Sequence, residues 1–386
     1  MKSSKAIVVG AGIGGLTAAL ALQKAGFAVE VYEQAPELKE AGAGISLWAN
    51  AIRALEQLGF GNALRERSVA YARTAILRSD GRTIVEISLD ELVQRLRLAD
   101  TPVVVVLHRA DLLDILTKPL GNTIRLGHRC AGFEIRGERV AARFADGTEA
   151  EGDLLIGADG IHSSVRAQLH PGDALRYSGY TAWRAVVKFD SAGWGVTESW
   201  GAGKRFGVVP MSGGSVYWFA TQNTPEGGRA AAGGAKQELS ELFRGWHEPI
   251  PQLISAIEES AILRNDIVDR DPLRTWGSGP VTLLGDAAHP MTPNLGQGGC
   301  QAIEDALALA RSVSNARNVP EALRNYEFER IRRTTPIVLG SRRSGRLAQW
   351  DNPLACRLRD ALLAKMPHGV LVRQLEPVAG YTGHLN

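Results

Sequence analysis

Residues 5–33, KAIVVGAGIGGLTAALALQKAGFAVEVYE, constrain the fold of this chain more than any other stretch. A short apolar run, Ala6-Ile7-Val8-Val9, has the character of a buried strand and passes directly into Gly10-Ala11-Gly12-Ile13-Gly14-Gly15. Helical periodicity over 16–25 follows, Gly26 supplies a C-cap, and a second apolar run over 28–32 ends on Glu33. The pattern predicts a strand–turn–helix–strand unit. In that setting Gly10, Gly12 and Gly15 match G-x-G-x-x-G. The first glycine allows a tight turn, the second lets a pyrophosphate approach the backbone, and the third lets the helix pack close to the strand. Phosphates would rest on unsatisfied N–H groups at the helix start. Glu33 stands where an acid accepts hydrogen bonds from a ribose diol, and a carboxylate there disfavours a 2′-phosphate. The expected ligand is NAD or FAD, and a glycine-rich turn without a ligand is the competing reading.

At 386 residues the chain can bury a large core and is expected to form two lobes. A formal charge of +3 is small for that length, so nothing global points to nucleic acid. Basic residues gather late, in Arg330-Ile331-Arg332-Arg333 and Arg342-Arg343-Ser344-Gly345-Arg346, and such runs on a helix read as a solvated face. Cys130, Cys300 and Cys356 are far apart and lack metal-ligand spacing, which predicts no metal, no disulfide framework and a reducing, cytoplasmic setting. The first residues run straight into a strand with no cleavable apolar segment, and no run approaches the roughly eighteen apolar residues of a membrane span.

Further along, the small residues Gly42-Ala43-Gly44-Ile45-Ser46 suit a backbone lying against a flat ligand or a plain connection, and a helix is expected over 51–58. Ser79-Asp80-Gly81-Arg82 and Asp146-Gly147 are hairpin signals. A strand over 103–107 leads into a helix opened by His108-Arg109. A buried strand then ends on Gly157-Ala158-Asp159-Gly160, and Ser163 can cap a helix carrying Arg166. Alternating segments between 172 and 279 predict an antiparallel sheet with an aromatic face of Tyr180, Trp183, Tyr217 and Trp218, suited to a planar substrate or to plain core packing. The helical tract 236–257 is expected to return the chain to the first lobe. There a buried strand ends on Gly285-Asp286, and Gly296-Gln297-Gly298-Gly299-Cys300 leads into an amphipathic helix over 301–312 whose N-terminus forms a second anion-stabilising site.

With Gly10-x-Gly12-x-x-Gly15, Asp159-Gly160 and Gly285-Asp286 in order, the chain resembles the FAD-dependent single-component aromatic hydroxylases, the para-hydroxybenzoate hydroxylase-like flavoprotein monooxygenases. The resemblance implies an α/β fold, in which a Rossmann-like FAD-binding domain (1–75, 101–171 and 280–386 with C-terminal helices) is interleaved with a mainly antiparallel β-sheet substrate domain (76–100 and 172–279). It implies that Gly12, Gly14, Gly15, Glu33, Gln34, Ser46, Arg109, Cys130 and Asp286 hold FAD, that Gly296 to Cys300, through Gln297, Gly298 and Gly299, lie against the isoalloxazine, and that Asp159 serves FAD and pyridine nucleotide. Gly203-Lys204-Arg205, Tyr217 and Gly296 to Cys300 are similar to the urate hydroxylase and zeaxanthin epoxidase-like branch, which places Arg205, Tyr217, Phe219, Pro293 and Asn294 at the substrate. The urate enzyme carries an aspartate where this chain has Asn294. An amide cannot take a proton as a carboxylate can, which argues against urate itself.

The family chemistry is supplied by the flavin. NADH or NADPH, bound transiently, reduces FAD; O₂ adds at C4a, and the hydroperoxide passes oxygen to a small electron-rich aromatic ring. Arg205 and Tyr217 are the candidate catalytic residues, Arg205 as a positive charge and Tyr217 as an orienting group, and no base is assigned. His289 reads as structural rather than as a proton carrier. A flavin dehydrogenase or oxidase on the same scaffold, and a non-catalytic dinucleotide-fold binding protein, are the competing functions. A monomer or homodimer is expected.

Overall fold

The computed structural model describes residues 4–38, 43–98, 100–228 and 233–381; Gly42 of the small-residue loop, and residues 229–232 ahead of the 236–257 tract, lie outside the described residues. A five-stranded parallel sheet runs in the order Val281–Leu283, Leu154–Gly157, Lys5–Val9, Ala28–Tyr32, Ile124–Arg125. The central strand is apolar from Ala6 to Val9 because both its faces are covered there: Ile7 and Val8 have no exposed surface. Gly10 turns the chain at φ +103°, where a Cβ would stand 2.4 Å from the Ala158 carbonyl oxygen. The following helix is Ile13–Lys24, starting three residues earlier than the periodicity suggests because Gly14 and Gly15 lie inside its first turn. At Gly14 an added Cβ would meet Leu284 at 2.8 Å and Ala302 at 3.0 Å, so the small residue sets how closely this helix crosses the Gly298–Asn315 helix.

A seven-stranded sheet forms the second layer, in the order Leu263–Asp269, Arg176–Lys188, Ser215–Asn223, Lys204–Met211, Val196–Trp200, Arg73–Arg78, Thr83–Ser88. All its pairings are antiparallel except Val196–Trp200 with Arg73–Arg78. Both hairpin signals hold: Arg73–Arg78 pairs with Thr83–Ser88 around Asp80-Gly81, and Arg139–Phe144 pairs with Glu149–Gly152 around Asp146-Gly147. His108 caps the Arg109–Thr117 helix through its ring, and Ser163 caps Ser164–Leu169 by accepting the Arg166 N–H at 2.9 Å.

Four expectations need correction. The 236–257 tract does not carry the chain back to the parallel sheet. It breaks into Gly234–Leu242 and Ile250–Ala256, whose Leu239, Ile250 and Leu253 pack on the back of the seven-stranded sheet, and the chain first adds the edge strand Leu263–Asp269. Nor do the aromatics share one face. Strand alternation turns Trp183 and Trp218 into that back core, where Trp218 stacks on Phe206 at 5.3 Å, and leaves Tyr217 and Phe219 on the other side. The Gly298–Asn315 helix is not amphipathic where it matters, since every residue from Cys300 to Ala310 is buried, including Gln301, Glu304 and Asp305. The basic runs explain this. Within the long helix Val319–Ala348, Arg330 is wholly buried on Glu304 and Asp305 at 2.6 Å each, Arg333 also reaches Glu304, and Arg342 bonds Asp269 at 2.5 Å. These arginines fasten the Val319–Ala348 helix to the rest of the molecule instead of facing solvent.

Candidate active site

Between the two sheets runs a trough of three connected cavities. The first, about 320 Å³, is bordered by Gly12, Glu33, Gln34, Cys130 and Asp159. The second, about 170 Å³, is bordered by Gly12, Gly14, Arg109, Asp286, Gly298 and Gly299. The third, about 320 Å³, has Ser46, Gly296, Gln297, Gly298 and Gly299 on one side and Arg205, Tyr217, Phe219, Pro293 and Asn294 on the other. Gly12, Ala158 and Gly160 border both the first and second cavities, and Ile45, Asp286, Gly298 and Gly299 both the second and third. Residues from 9 to 302 in sequence thus line a row of three adjoining cavities.

Two predicted cofactor residues stand off it. An added Cβ at Gly15 would lie 2.0 Å from the Gly10 carbonyl oxygen, so this glycine serves helix–strand contact and touches none of the three cavities. Cys300 turns away from the cavities. Its Sγ accepts the Trp48 N–H at 3.4 Å and points at the Ser46 and Gly296 carbonyls, and complete burial pushes the thiol up to about 12. A thiol held so far from ionising is inert. Cys300 is therefore expected to resist iodoacetamide in the folded protein at neutral pH and to react only on unfolding; rapid labelling, read by peptide mass spectrometry, would contradict this burial.

The remaining residues fit an elongated dinucleotide. Gly12 has extended backbone and no protein atom within 4 Å of an added Cβ, so its surface faces open trough. Glu33 accepts the Ala11 N–H at 2.8 Å and the Ala35 N–H at 2.9 Å, which leaves each of its oxygens a further lone pair for a diol. Asp159 uses Oδ2 on the Ser164 N–H and hydroxyl, while its Oδ1 is buried without a partner. Gln297 accepts from Asn50 and Gln301 through Oε1, and its Nε2 is likewise buried and unpartnered. An unmatched buried polar atom costs roughly 1–3 kcal/mol, which a polar ligand in the trough would relieve. Asp286 keeps its carboxylate exposed to the trough. Desolvation by the protein packed around it raises its pKa against the opposing pull of His289 and Arg109.

The wall behind Asp286 is a buried polar hub. Asp305 accepts the Gly285 N–H at 2.9 Å and bonds His289 Nε2 at 2.6 Å, which ties the imidazole into this hub, while His289 Nδ1 is buried without a partner. Glu304 accepts from Asn50 at 2.5 Å, and Asn50 in turn bonds Gln297.

On the sheet side, Arg205 is a buried strand residue and no surface turn. It donates to Gln349 Oε1 at 2.7 Å, to Glu198 Oε1 at 3.0 Å and to Asn294 Oδ1 at 2.9 Å, and it lies 5.5 Å from the centre of the Tyr180 ring. Asn294 also donates to Thr292 and to the Ser341 carbonyl, so its amide is fixed with Oδ1 toward Arg205. Tyr217 lies against Gly44, where an added Cβ would come within 2.7 Å of its ring, and burial raises its pKa. Sequence reasoning does not reach Glu198, Gln349 or Asn50. Glu198 sits in a strand with no motif, and only the register that sets it beside Gly207 brings it next to Arg205. Gln349 arrives from the end of a helix 144 positions later.

This fold and trough define an FAD-dependent hydroxylase. A family model described as FAD binding domain matches residues 3–341, and the chain belongs to that family. It is 45% identical over 366 residues to the aurachin C monooxygenase/isomerase of Stigmatella aurantiaca, covering 93% of this chain and 94% of that one. It is 37% identical over 345 residues to the FAD-dependent urate hydroxylase of Klebsiella pneumoniae, covering 88% and 89%. The crystal structure of Klebsiella pneumoniae HpxO complexed with FAD and uric acid superposes with a TM-score of 0.91 at 32% identity, over 97% of this chain and 96% of that one. The chain is an FAD-dependent monooxygenase of the aromatic hydroxylase type. Among the described residues no helix is long and apolar enough to cross a membrane.

Proposed function

We propose that the third cavity holds a small aromatic or heteroaromatic substrate for hydroxylation, beside an FAD lying along the first two cavities, with NADH or NADPH as reductant and O₂ as the oxygen source. The observation that carries this reading is the continuity of the trough from Glu33 to Arg205. The expected domain division shifts at one boundary, because the strand Arg73–Arg78 belongs whole to the seven-stranded sheet: 1–72, 101–171 and 280–386 carry the cofactor, and of 73–100 with 172–279 the second segment supplies the roof over the substrate, closed on the other side by Met291 to Asn294.

FAD, when bound, supplies the redox chemistry: it takes hydride from the nicotinamide and activates O₂. The chain's own part is binding and electrostatics. Glu33 accepts the adenosine ribose hydroxyls, while Gln34 and Cys130 border the adenine end. The open backbone at Gly12 takes the pyrophosphate with Arg109 nearby, and Asp286 accepts from the flavin-side hydroxyls. The free N–H groups at the start of the Gly298–Asn315 helix face the third cavity and stabilise negative charge that develops there. Phe219, Tyr217 and Pro293 give a flat ligand apolar surfaces to rest on. Asn294, a fixed amide already engaged on both its atoms, takes no proton, which favours a substrate other than urate.

Arg205 is the positive charge at the substrate end. Replacing it with alanine should lower hydroxylation by about 10²–10³-fold with FAD content nearly unchanged, since it lies outside the two cofactor cavities. Equal loss of flavin and activity would overturn its assignment to the substrate. Incorporation of label from ¹⁸O₂ into product tests the reaction type, and flavin reduction by substrate without label would establish the dehydrogenase or oxidase alternative.

A further inference from the structure

We propose that Glu198 is the general base of this enzyme, and that the substrate is a ring carrying an ionisable O–H or N–H which it donates to Glu198 Oε2. The inference rests on reading the third cavity as the substrate site.

Glu198 and Asp286 are the two carboxylates bordering that cavity, and Asp286 belongs to the stretch of wall shared with the second one. Glu198 stands at the other end, beside Arg205. One of its oxygens is fully committed: Oε1 accepts from Trp200 Nε1 at 2.9 Å and from Arg205 Nη1 at 3.0 Å. Trp200 is itself clamped by the Arg359 guanidinium, 4.8 Å from its ring centre, so the carboxylate cannot swing freely. Oε2 has no hydrogen-bond partner among the described residues, and the side chain keeps 29% of its surface open.

The sheet is shaped to leave this oxygen accessible. Glu198 pairs with Gly207, and Gly207 pairs with Phe219. A Cβ at position 207 would stand 2.0 Å from the Phe219 ring. With glycine there, the Phe219 ring occupies the space over position 207, next to the strand that carries Glu198. A planar substrate resting on Phe219 has its edge at the carboxylate. Asn294, on the opposite side of Arg205, can donate or accept but cannot be protonated, so the proton-accepting group of this site lies on the sheet and not on the loop.

The proton transfer needs no reagent beyond the reductant and O₂ that the monooxygenase reaction itself consumes. As the ring carbon takes up oxygen, the substrate O–H or N–H bond breaks and its electron pair stays on the heteroatom, feeding the ring. The proton bonds to Glu198 Oε2 and returns to water when product leaves. Arg205, donating to Oε1, keeps the carboxylate in place while Oε2 takes the proton.

The test is an equilibrium measurement on oxidised holoenzyme, with 4-nitrophenol and its methyl ether 4-nitroanisole as probes, titrated against the flavin absorbance at a pH below the phenol's own pKa. The two differ by the hydrogen that Glu198 would accept. Wild type should bind the phenol roughly ten- to hundredfold more tightly than the ether. Glu198→Gln keeps an oxygen for Arg205 and Trp200 but presents an amide to the ligand, and should bring the two affinities within about twofold. If Glu198 serves only to neutralise Arg205, the preference between two neutral probes is the same in both proteins, and the proposal is wrong. Absence of any preference in wild type, or of binding, also overturns it. Because no turnover is involved, the result is independent of the ¹⁸O₂ experiment, whose failure would remove the monooxygenase reading instead.

Discussion

Replacing Arg330 with methionine is expected to destabilise the protein by about 3–5 kcal/mol and to loosen its hold on FAD, although residue 330 touches no part of the trough. The guanidinium satisfies Glu304, Asp305 and the Gln301 side chain at 2.6, 2.6 and 2.8 Å, and all four residues are buried. Without it, two carboxylates stay buried with one cation fewer between them. Asp305 is the partner that matters for function, because it also holds the Gly285 N–H and His289 and so sets the position of the Gly285-Asp286 turn.

The pH dependence follows from the same contacts. Burial acts to raise the Asp305 pKa, but His289 and Arg330 outweigh it and hold the carboxyl below its ordinary value. A folded pKa below the unfolded one adds stability that is present above the unfolded pKa and is lost as pH falls through the folded one. Arg330→Met should therefore shift the acid unfolding midpoint to higher pH. Urea unfolding at neutral pH, and an acid titration followed by circular dichroism, measure both effects. Arg332, two residues on and exposed on the opposite face of the same helix, provides the control: Arg332→Met should change stability by no more than about 0.5 kcal/mol. A cost below about 1 kcal/mol at Arg330 would mean that the hub does not carry the load given to it here.

The two arginines also mark the limit of what the chain discloses before it folds. What could be read was local. Residues 5–33 carry strand, turn, helix and acid within one unit, and both hairpins are announced by their turn residues, because period and turn chemistry act over a few neighbours. Part of the trough was legible for the same reason, since Gly12, Gly14, Asp159, Asp286 and Gly296 to Gly299 border it from glycine-rich turns, whereas Gln34, Arg109, Cys130 and Arg205 came only from the family resemblance. Arg330 and Arg332 look alike in sequence, and only packing against Gly298–Asn315 separates a buried anchor from a solvated charge. Trp183 and Trp218 share the composition of an aromatic pocket, and strand alternation turns them away from it. Glu198 needed the pairing register of Val196–Trp200 with Lys204–Met211, and Gln349 needed the docking of a distant helix, neither of which leaves a local signal.

The glycines of the first turn give the second large effect, and they separate fold from ligand. Gly15→Ala should fold poorly and lose flavin together, because its Cβ would lie 2.0 Å from the Gly10 carbonyl oxygen and only backbone could move to relieve it. Such overpacking costs typically 1–3 kcal/mol, and here the helix would have to lift from the central strand. Gly12→Ala should behave differently. Its φ of −73° and ψ of 177° suit any L-residue, and its Cβ would meet no protein atom within 4 Å, so the apoprotein should melt within about 0.5 kcal/mol of wild type. That Cβ nonetheless enters the trough where the first two cavities join. FAD affinity, measured by the quenching of flavin fluorescence on adding apoprotein, should fall by about tenfold or more. If Gly12→Ala kept wild-type affinity, the pyrophosphate would have to lie elsewhere, and the assignment of the whole channel, with the substrate end that follows from it, would have to be redrawn.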